Sequence, residues 1–487
     1  MSEGRMFWRG VWGYLPANIV QGLVGFGAIM VFTRLLSAED FGHYAIAFSI
    51  MTLAHVATFS WLEASMARFW AAEQGEALAD HFLALYRTAF VISAAALPVA
   101  AVALWLCPIG AEMKLAIGAG LAGIPIRCLA KLAQERFRAA GEVSKSASMD
   151  IAVSLGGFLI GVGCALAGLG AASPLIGLAV APLLALPFVL PGELKQTRGG
   201  TLYRARLADY ARYGYPIAAG LGLSLIMAST DRFLLEIFMG PAAVGAYHAG
   251  YSLASRTLDV LFIWLGAAGT PALIMTWERG SREAFRAAAR EQASTFVLIG
   301  LPAAVGVALV ARPLADFMIG EDLRAAAASV TPWIALSALL SGVTSYYLSQ
   351  SFVLGRRTDR LLLTLCIPAG ANVGLNLLLV PAMGVMGAAV ATTTSFAIGL
   401  VASIAMGRSI VAMPIPWDTL ARCGVACAVM AVVVQALPVH GGLIELGSKA
   451  GVGAAVYAVI ALVLNAAGVR DLAVRLIGER AARRMTA

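Results

Sequence analysis

Arg256 and Asp259 stand three residues apart inside an otherwise apolar run at 243–266. That spacing puts both on one helix face, where guanidinium and carboxylate can pair. The planar guanidinium fork matches a phosphate or an acidic group through two hydrogen bonds. Arg256 therefore reads as an anion contact lining a cavity, and Asp259 as its release partner or a proton or cation site. A buried pair that only fixes packing would present the same spacing. Arg127 and Lys131, one turn apart in another apolar run, read as phosphate attractors or as simple topology markers. Glu63 and Arg68 follow a third run, guarding a mouth or snorkelling at a helix end. Arg34 and the Asp231–Arg232 pair close two more runs, as a gate or rim or as anchors set by the helix dipole. Asn372 and Asn376, also one turn apart, offer amides to hydroxyl-bearing ligands or to neighbouring helices.

Nothing in the spacing calls for a metal, a cofactor or a catalytic nucleophile. The six cysteines are scattered, mostly within apolar runs, and none forms a C-x-x-C. Cys423 and Cys427 share a helix face but lack the histidine or third cysteine of a zinc set. His55 and His248 are isolated in sequence. Gly22, Gly25 and Gly27 follow no strand, so they read as close helix packing rather than a nucleotide loop.

The elements that must carry these residues are membrane helices. Of 487 residues, 60% are hydrophobic and 13% charged; soluble domains carry roughly 25% charged residues. That balance excludes a soluble enzyme and a nucleic-acid reader. Apolar runs predict fourteen spans near 11–33, 41–62, 84–106, 112–132, 148–169, 171–191, 210–230, 243–266, 293–311, 327–350, 361–381, 385–406, 419–437 and 448–467. The fourth is expected to extend to about 138. Arg5 and Arg9 precede a run longer than a signal-peptide core, so the first run reads as a span. Assigning loops alternately to the two sides places 28 Lys and Arg on one side and 6 on the other, with Arg256 inside a span. By the positive-inside rule both termini are expected in the cytoplasm, and the net charge of +8 reflects orientation rather than a nucleic-acid partner. The stretches Glu73–His81 and Arg279–Glu291 are expected as interfacial helices or helix extensions. The loop around Arg312–Arg324 is too short for a folded domain.

An internal repeat organises the spans. Residues 13–48 and 214–251 each carry a Gly-Tyr-(x)-Pro start and a long apolar helix. Each then has an arginine (Arg34, Arg232), a leucine pair, a short loop and a Gly-x-Tyr (Gly42/Tyr44, Gly245/Tyr247). FRAAGEVS (137–144) and FVLGRRTD (352–359) correspond at a similar offset. Parallel repeats imply a pseudo-two-fold axis along the membrane normal and a cavity between halves. The expected organisation is an all-α polytopic membrane protein with two six-helix lobes, 1–200 and 201–412. Two further helices and a cytoplasmic tail occupy 413–487.

Three segments carry a resemblance: RLLSAEDFGHYAIAFS (34–49), YGYPIAAGLGLSLIMASTDRFLLEIFMGPAAVGAYHAGYSLA (213–254) and NVGLNLLLVPAMGVMGAAVATTTS (372–395). Together they resemble the polysaccharide transport family of the multidrug/oligosaccharidyl-lipid/polysaccharide exporter superfamily. The resemblance implies a flippase for undecaprenyl-diphosphate-linked oligosaccharide in the bacterial inner membrane, serving O-antigen, capsule or exopolysaccharide assembly by alternating access. It also implies a polysaccharide polymerase and other assembly proteins as partners, and no enzymatic step. Pro16 and Pro216 are expected bending points in equivalent helices. Three alternatives stay open: a lipid II flippase, a cation-coupled multidrug antiporter on the same fold, and a membrane polymerase or ligase. The last would require a large outer loop or a D-x-D metal site, and neither is present in the sequence.

Overall fold

The computed structural model describes residues 3–72 and 76–471, with side chains described from Tyr14 onward except those of Glu76 and Thr358. Glu73, the tail from 472, and the side chains of Arg5 and Arg9 lie outside the described residues. The described chain is helical, with no strand among its elements. The first eight helices are α1 (Glu3–Leu35), α2 (Ala38–Phe69), α3 (Glu76–Leu106), α4 (Ala111–Ala139), α5 (Val143–Leu166), α6 (Ser173–Lys195), α7 (Arg204–Met239) and α8 (Pro241–Arg279). Then follow α9 (Arg282–Leu309), α10 (Ala311–Met318), α11 (Glu321–Val343), α12 (Gln350–Leu354), α13 (Thr358–Met383), α14 (Val385–Gly407), α15 (Trp417–Ala436) and α16 (Gly442–Val463). Fourteen segments among the described residues are long and apolar enough to cross a membrane, α11 and α12 forming one span, Glu321–Leu354. The fourteen-helix membrane fold read from the sequence is the fold observed.

Several departures have plain causes. Of the two forms expected for the amphipathic stretches before the third and ninth spans, the described residues show helix extensions, α3 starting at Glu76 and α9 at Arg282. Ser281 caps α9 by accepting the Ala284 N–H at 3.1 Å, which offsets one orphan donor at a polar start. The loop around Arg312–Arg324 contains the short α10, whose Asp316 lies 3.7 Å from Arg324. A π-helical turn, Thr344–Leu348, links α11 to α12. Helix-interior prolines such as Pro16, Pro98, Pro125 and Pro216 leave their helices continuous. Separately, hydroxyls within the helices are satisfied by their own backbone: Thr33, Ser49 and Thr58 donate to the carbonyls four residues earlier at 2.6–2.8 Å.

By internal packing the chain divides into Met1–Gly245 and Ala246–Ala487. The lobe limits proposed from the repeat follow pseudo-symmetry instead, a different criterion from packing. Within the first unit α2 is the central helix, burying Phe41, Phe59, Leu62 and Met66. Trp61 stacks on Tyr215 of α7, ring centroids 5.2 Å apart. Small residues let backbones touch: a Cβ on Gly177 of α6 would lie 2.1 Å from the Gly157 carbonyl oxygen of α5. In lipid, such close approach replaces the hydrophobic effect as the source of helix cohesion. Within the second unit Phe262 packs on Phe296 at 5.8 Å, and Cys427, Met430 and Val434 form an apolar cluster on α15. Cys423 and Cys427 are buried and free, as their apolar surroundings predict.

An ion-pair network pins one end of α4. Arg136 donates from Nη2 and Nε to Glu193 Oε1 of α6, at 2.6 and 3.1 Å, and from Nη1 to Glu142 at 2.5 Å. Tyr86 of α3 donates to Glu193 Oε2 at 3.1 Å. Arg136 lies on the expected extension of the fourth helix, and the fold buries its carboxylate partner Glu193 to 1% exposure. Glu142, in the turn between α4 and α5, is hydrogen-bonded by Lys145 and attracted by Arg136, which hold its carboxyl below its ordinary value. Its stabilising contribution is therefore present above the ordinary carboxylate range and disappears as the pH falls through the lowered value. Removing one member of a buried pair strands the other, at about 3–5 kcal/mol. Glu193→Ala should thus lower the melting temperature in detergent far more than Glu142→Ala, whose carboxylate is partly exposed. Equal shifts for the two variants would show that the network is not anchored at Glu193.

Candidate functional site

The polar interior of the first unit is built from one stripe of α4. Arg127, Lys131, Gln134 and Arg138 follow one another at helical spacings of four, three and four residues, so they share a face. Asp150 and Ser154, one turn apart on α5, face that stripe, and Gln21 of α1 completes the lining of a cavity of about 350 Å³. Most charges here are matched. Lys131 lies 3.6 Å from Glu135, Arg138 lies 3.0 Å from Glu135 and 3.2 Å from Asp150, and Gln134 donates to Asp150. Lys131 also donates to the Gln134 side-chain amide oxygen, Oε1, at 3.1 Å.

Arg127 is the exception. It is half-buried, and among the described residues it forms no ion pair. Its Nη1 reaches only the Met51 sulfur at 3.9 Å, a weak acceptor. Glu63 acts on it electrostatically but is engaged with His55 at 2.8 Å. That pairing spans two helical turns of α2, with both side chains largely shielded. A guanidinium held in a cavity without a carboxylate retains its capacity to bind an anion.

The other candidate residues fall into two groups. In the second unit, Arg256 and Asp259 are both exposed on α8; Arg256 acts on Asp259 electrostatically, but among the described residues they form no ion pair. The pairing inferred from their spacing is therefore not made, and two exposed ionisable groups within a span call for a polar environment. Asp259 is within electrostatic reach of Tyr346, which the π turn presents. Such turns are frequent at functional positions, and their i+5 bonding leaves no mark in a hydropathy pattern. Arg68 is exposed, 5.9 Å from the Phe69 ring.

The remaining candidates are engaged in packing. Arg34 is exposed, and its Nη1 donates to the Met30 carbonyl at 2.7 Å, the helix-end anchoring arrangement. Asp231 and Arg232 are buried in α7, where Arg232 donates to Ser49 of α2 at 3.1 Å. Asn372 and Asn376 are buried on α13. Asn376 donates to the Asn372 carbonyl at 2.9 Å, and Tyr247 meets Thr392 at 3.1 Å. Residue type singled out Arg127 and Lys131, whereas Gln134 and Asp150 needed the helix–helix register, and the partner of His55 lies on its own helix, two turns away. The stripe at 127, 131, 134 and 138 was the available signal for the first of these.

The polysaccharide biosynthesis protein family model matches residues 31–328. No curated protein sequence matches the chain. Among solved structures, the fold is similar to the lipid II flippase MurJ in an inward closed conformation. The TM-score is 0.75 with 15% identity over 94% of this chain and 99% of that one. It is also similar to an inward-facing multidrug resistance MATE family transporter of the MOP superfamily, with a TM-score of 0.56, 15% identity and coverage of 81% and 93%. A MOP superfamily transporter from Pyrococcus furiosus aligns with a TM-score of 0.54 and 14% identity, over 82% of this chain and 93% of that one. The family match spans more than half of the chain and includes the Arg127 stripe and, from residue 31, the end of the first repeat segment, so this multi-pass membrane protein belongs to the polysaccharide biosynthesis protein family and has the fold of the MOP superfamily.

Proposed function

We propose that the protein is a flippase that moves undecaprenyl-diphosphate-linked oligosaccharide across the bacterial inner membrane by alternating access. The product would feed O-antigen, capsule or exopolysaccharide assembly, with a polymerase acting downstream. The observation that carries this reading is Arg127: a half-buried guanidinium without an ion-pair partner, facing a polar cavity, in a member of a polysaccharide biosynthesis family. A diphosphate is the anion best matched to a fork with free donors. Lys131 and Gln134 beside it supply donors for the second phosphate or a sugar hydroxyl, and Arg256 and Asp259 are proposed as further head-group contacts. The 28 to 6 charge split supports an orientation with both termini in the cytoplasm. In that orientation Arg127 lies toward the cytoplasmic half of α4, where the substrate is loaded.

The test is deletion in the host, followed by analysis of lipid-linked intermediates and surface glycan. Loss of surface polysaccharide, with undecaprenyl-linked oligosaccharide accumulating on the inner leaflet, is the expected result. Accumulation of lipid II with arrested wall synthesis would instead assign the substrate suggested by the MurJ-like fold. Intact glycan with raised sensitivity to cationic drugs would assign an antiporter.

A further inference from the structure

Four side chains that chain order keeps far apart gather at the arginine-poor ends of α2, α4 and α7, within the first unit. Asp40 and His43 lie in the first two turns of α2, Glu112 opens α4, and Glu236 sits in the last turn of α7. The donor atoms of Asp40, His43 and Glu112 all lie within 4.8 Å of one another. His43, Glu112 and Glu236 line one cavity of about 510 Å³. Two carboxylates and an imidazole are thus within ligating reach of one another, with the Glu236 carboxylate on the same cavity as His43 and Glu112, and among the described residues none of the three carboxylates is in an ion pair.

A second observation points to a ligand. His43 Nδ1 and Glu236 Oε2 are closed off from solvent, and among the described residues neither has a hydrogen-bond partner. Buried polar atoms are nearly always satisfied, and a cation bound at this cavity would give both of these a partner. Asp40, by contrast, is already oriented. Ser37 donates to its Oδ2 at 2.9 Å and the Ala171 N–H to its Oδ1 at 3.2 Å. Each carboxylate oxygen keeps a further lone pair, and such supporting bonds are what position metal ligands.

We propose that Asp40, His43 and Glu112 form a site for a divalent cation of the zinc class, with Glu236 or water in the fourth position. Imidazole with carboxylates is a zinc-type donor set, whereas calcium and magnesium take oxygen ligands. The sequence predicted no metal here because its four donors come from three helices and no two of them have a ligand-pair motif. The bound ion would tie the ends of α2, α4 and α7 together and offset their three negative charges.

The full-length protein in nanodiscs, stripped with EDTA, would be titrated with Zn²⁺ and separately with Mg²⁺ by calorimetry, and its melting followed with each ion. We expect one Zn²⁺ per chain, a raised melting temperature, and no response to Mg²⁺. His43→Ala and Glu112→Gln should each weaken Zn²⁺ binding at least about tenfold and abolish the thermal shift. Glu112 is exposed at a helix start, so Glu112→Gln provides a variant that folds even if His43→Ala does not. Absence of stoichiometric Zn²⁺ binding, or wild-type affinity in Glu112→Gln, would overturn the site; the latter would place zinc elsewhere, such as at Cys423 and Cys427.

Discussion

Arg127→Ala is expected to abolish complementation of the deletion while the protein accumulates normally in the membrane. A charge-assisted hydrogen bond to an ionised partner is worth about 1.5–3 kcal/mol. Loss of about 2 kcal/mol corresponds to roughly 30-fold in transport at limiting substrate, and losing both arms of a bidentate contact costs more. The absence of an ion pair makes the test discriminating. Removing Arg127 leaves no carboxylate stranded, since Glu63 keeps His55 at 2.8 Å, so the melting temperature should hardly fall. Arg127→Lys should recover part of the activity, because charge survives but the planar fork does not. The readout is translocation of a fluorescent lipid-linked oligosaccharide in proteoliposomes, normalised to folded protein. A large fall in melting temperature with undiminished transport per folded molecule would make Arg127 a packing residue.

Gly42→Val is expected to prevent recovery of folded protein. The start of α2 crosses the start of α8 so closely that a Cβ on Gly42 would lie 1.8 Å from the Pro241 carbonyl oxygen. The approach is reciprocal: a Cβ on Gly245 would lie 2.5 Å from the Ala38 carbonyl oxygen. The obstacle in both cases is backbone, which no rotamer change relieves. Separating the helices would disturb the buried face of α2 and its contact through Ser49 with Arg232. The expected cost exceeds about 4 kcal/mol, the range reached only by severe core disruption. Gly220→Ala, on α7 with open space at its Cβ, is the matched control and should raise stability slightly through helix propensity. Size-exclusion profiles and melting curves of the two variants check this. A monodisperse Gly42→Val protein with the wild-type melting temperature would show that the helices do not cross at these glycines.

These two residues show how far the sequence could be read. Gly42 and Gly245 were visible as equivalent positions in a repeat, but not as the residues that bring two helix starts into contact. Arg127 was visible as a cation in a span, and its functional interest comes from what surrounds it. Lys131 and Arg138 have carboxylate partners and Arg127 does not, a distinction no spacing rule contains. The spacing argument for Arg256 and Asp259 held for their shared helix and failed for their pairing.

The sequence by itself determined that the chain spans a membrane with fourteen helices, and it marked the basic and the arginine-poor ends of those helices. Hydropathy, span length and loop charge are properties of contiguous residues, because the bilayer acts on each segment separately. Tertiary structure alone decided which polar groups meet. Arg136 finds Glu193 across 57 residues, and Ala171 finds Asp40 across 131. Gathering Asp40, His43, Glu112 and Glu236 takes three helices. Once the helices are in lipid, their register is set by close packing of small residues and by the need to satisfy every buried polar group, and neither condition is written in any single helix.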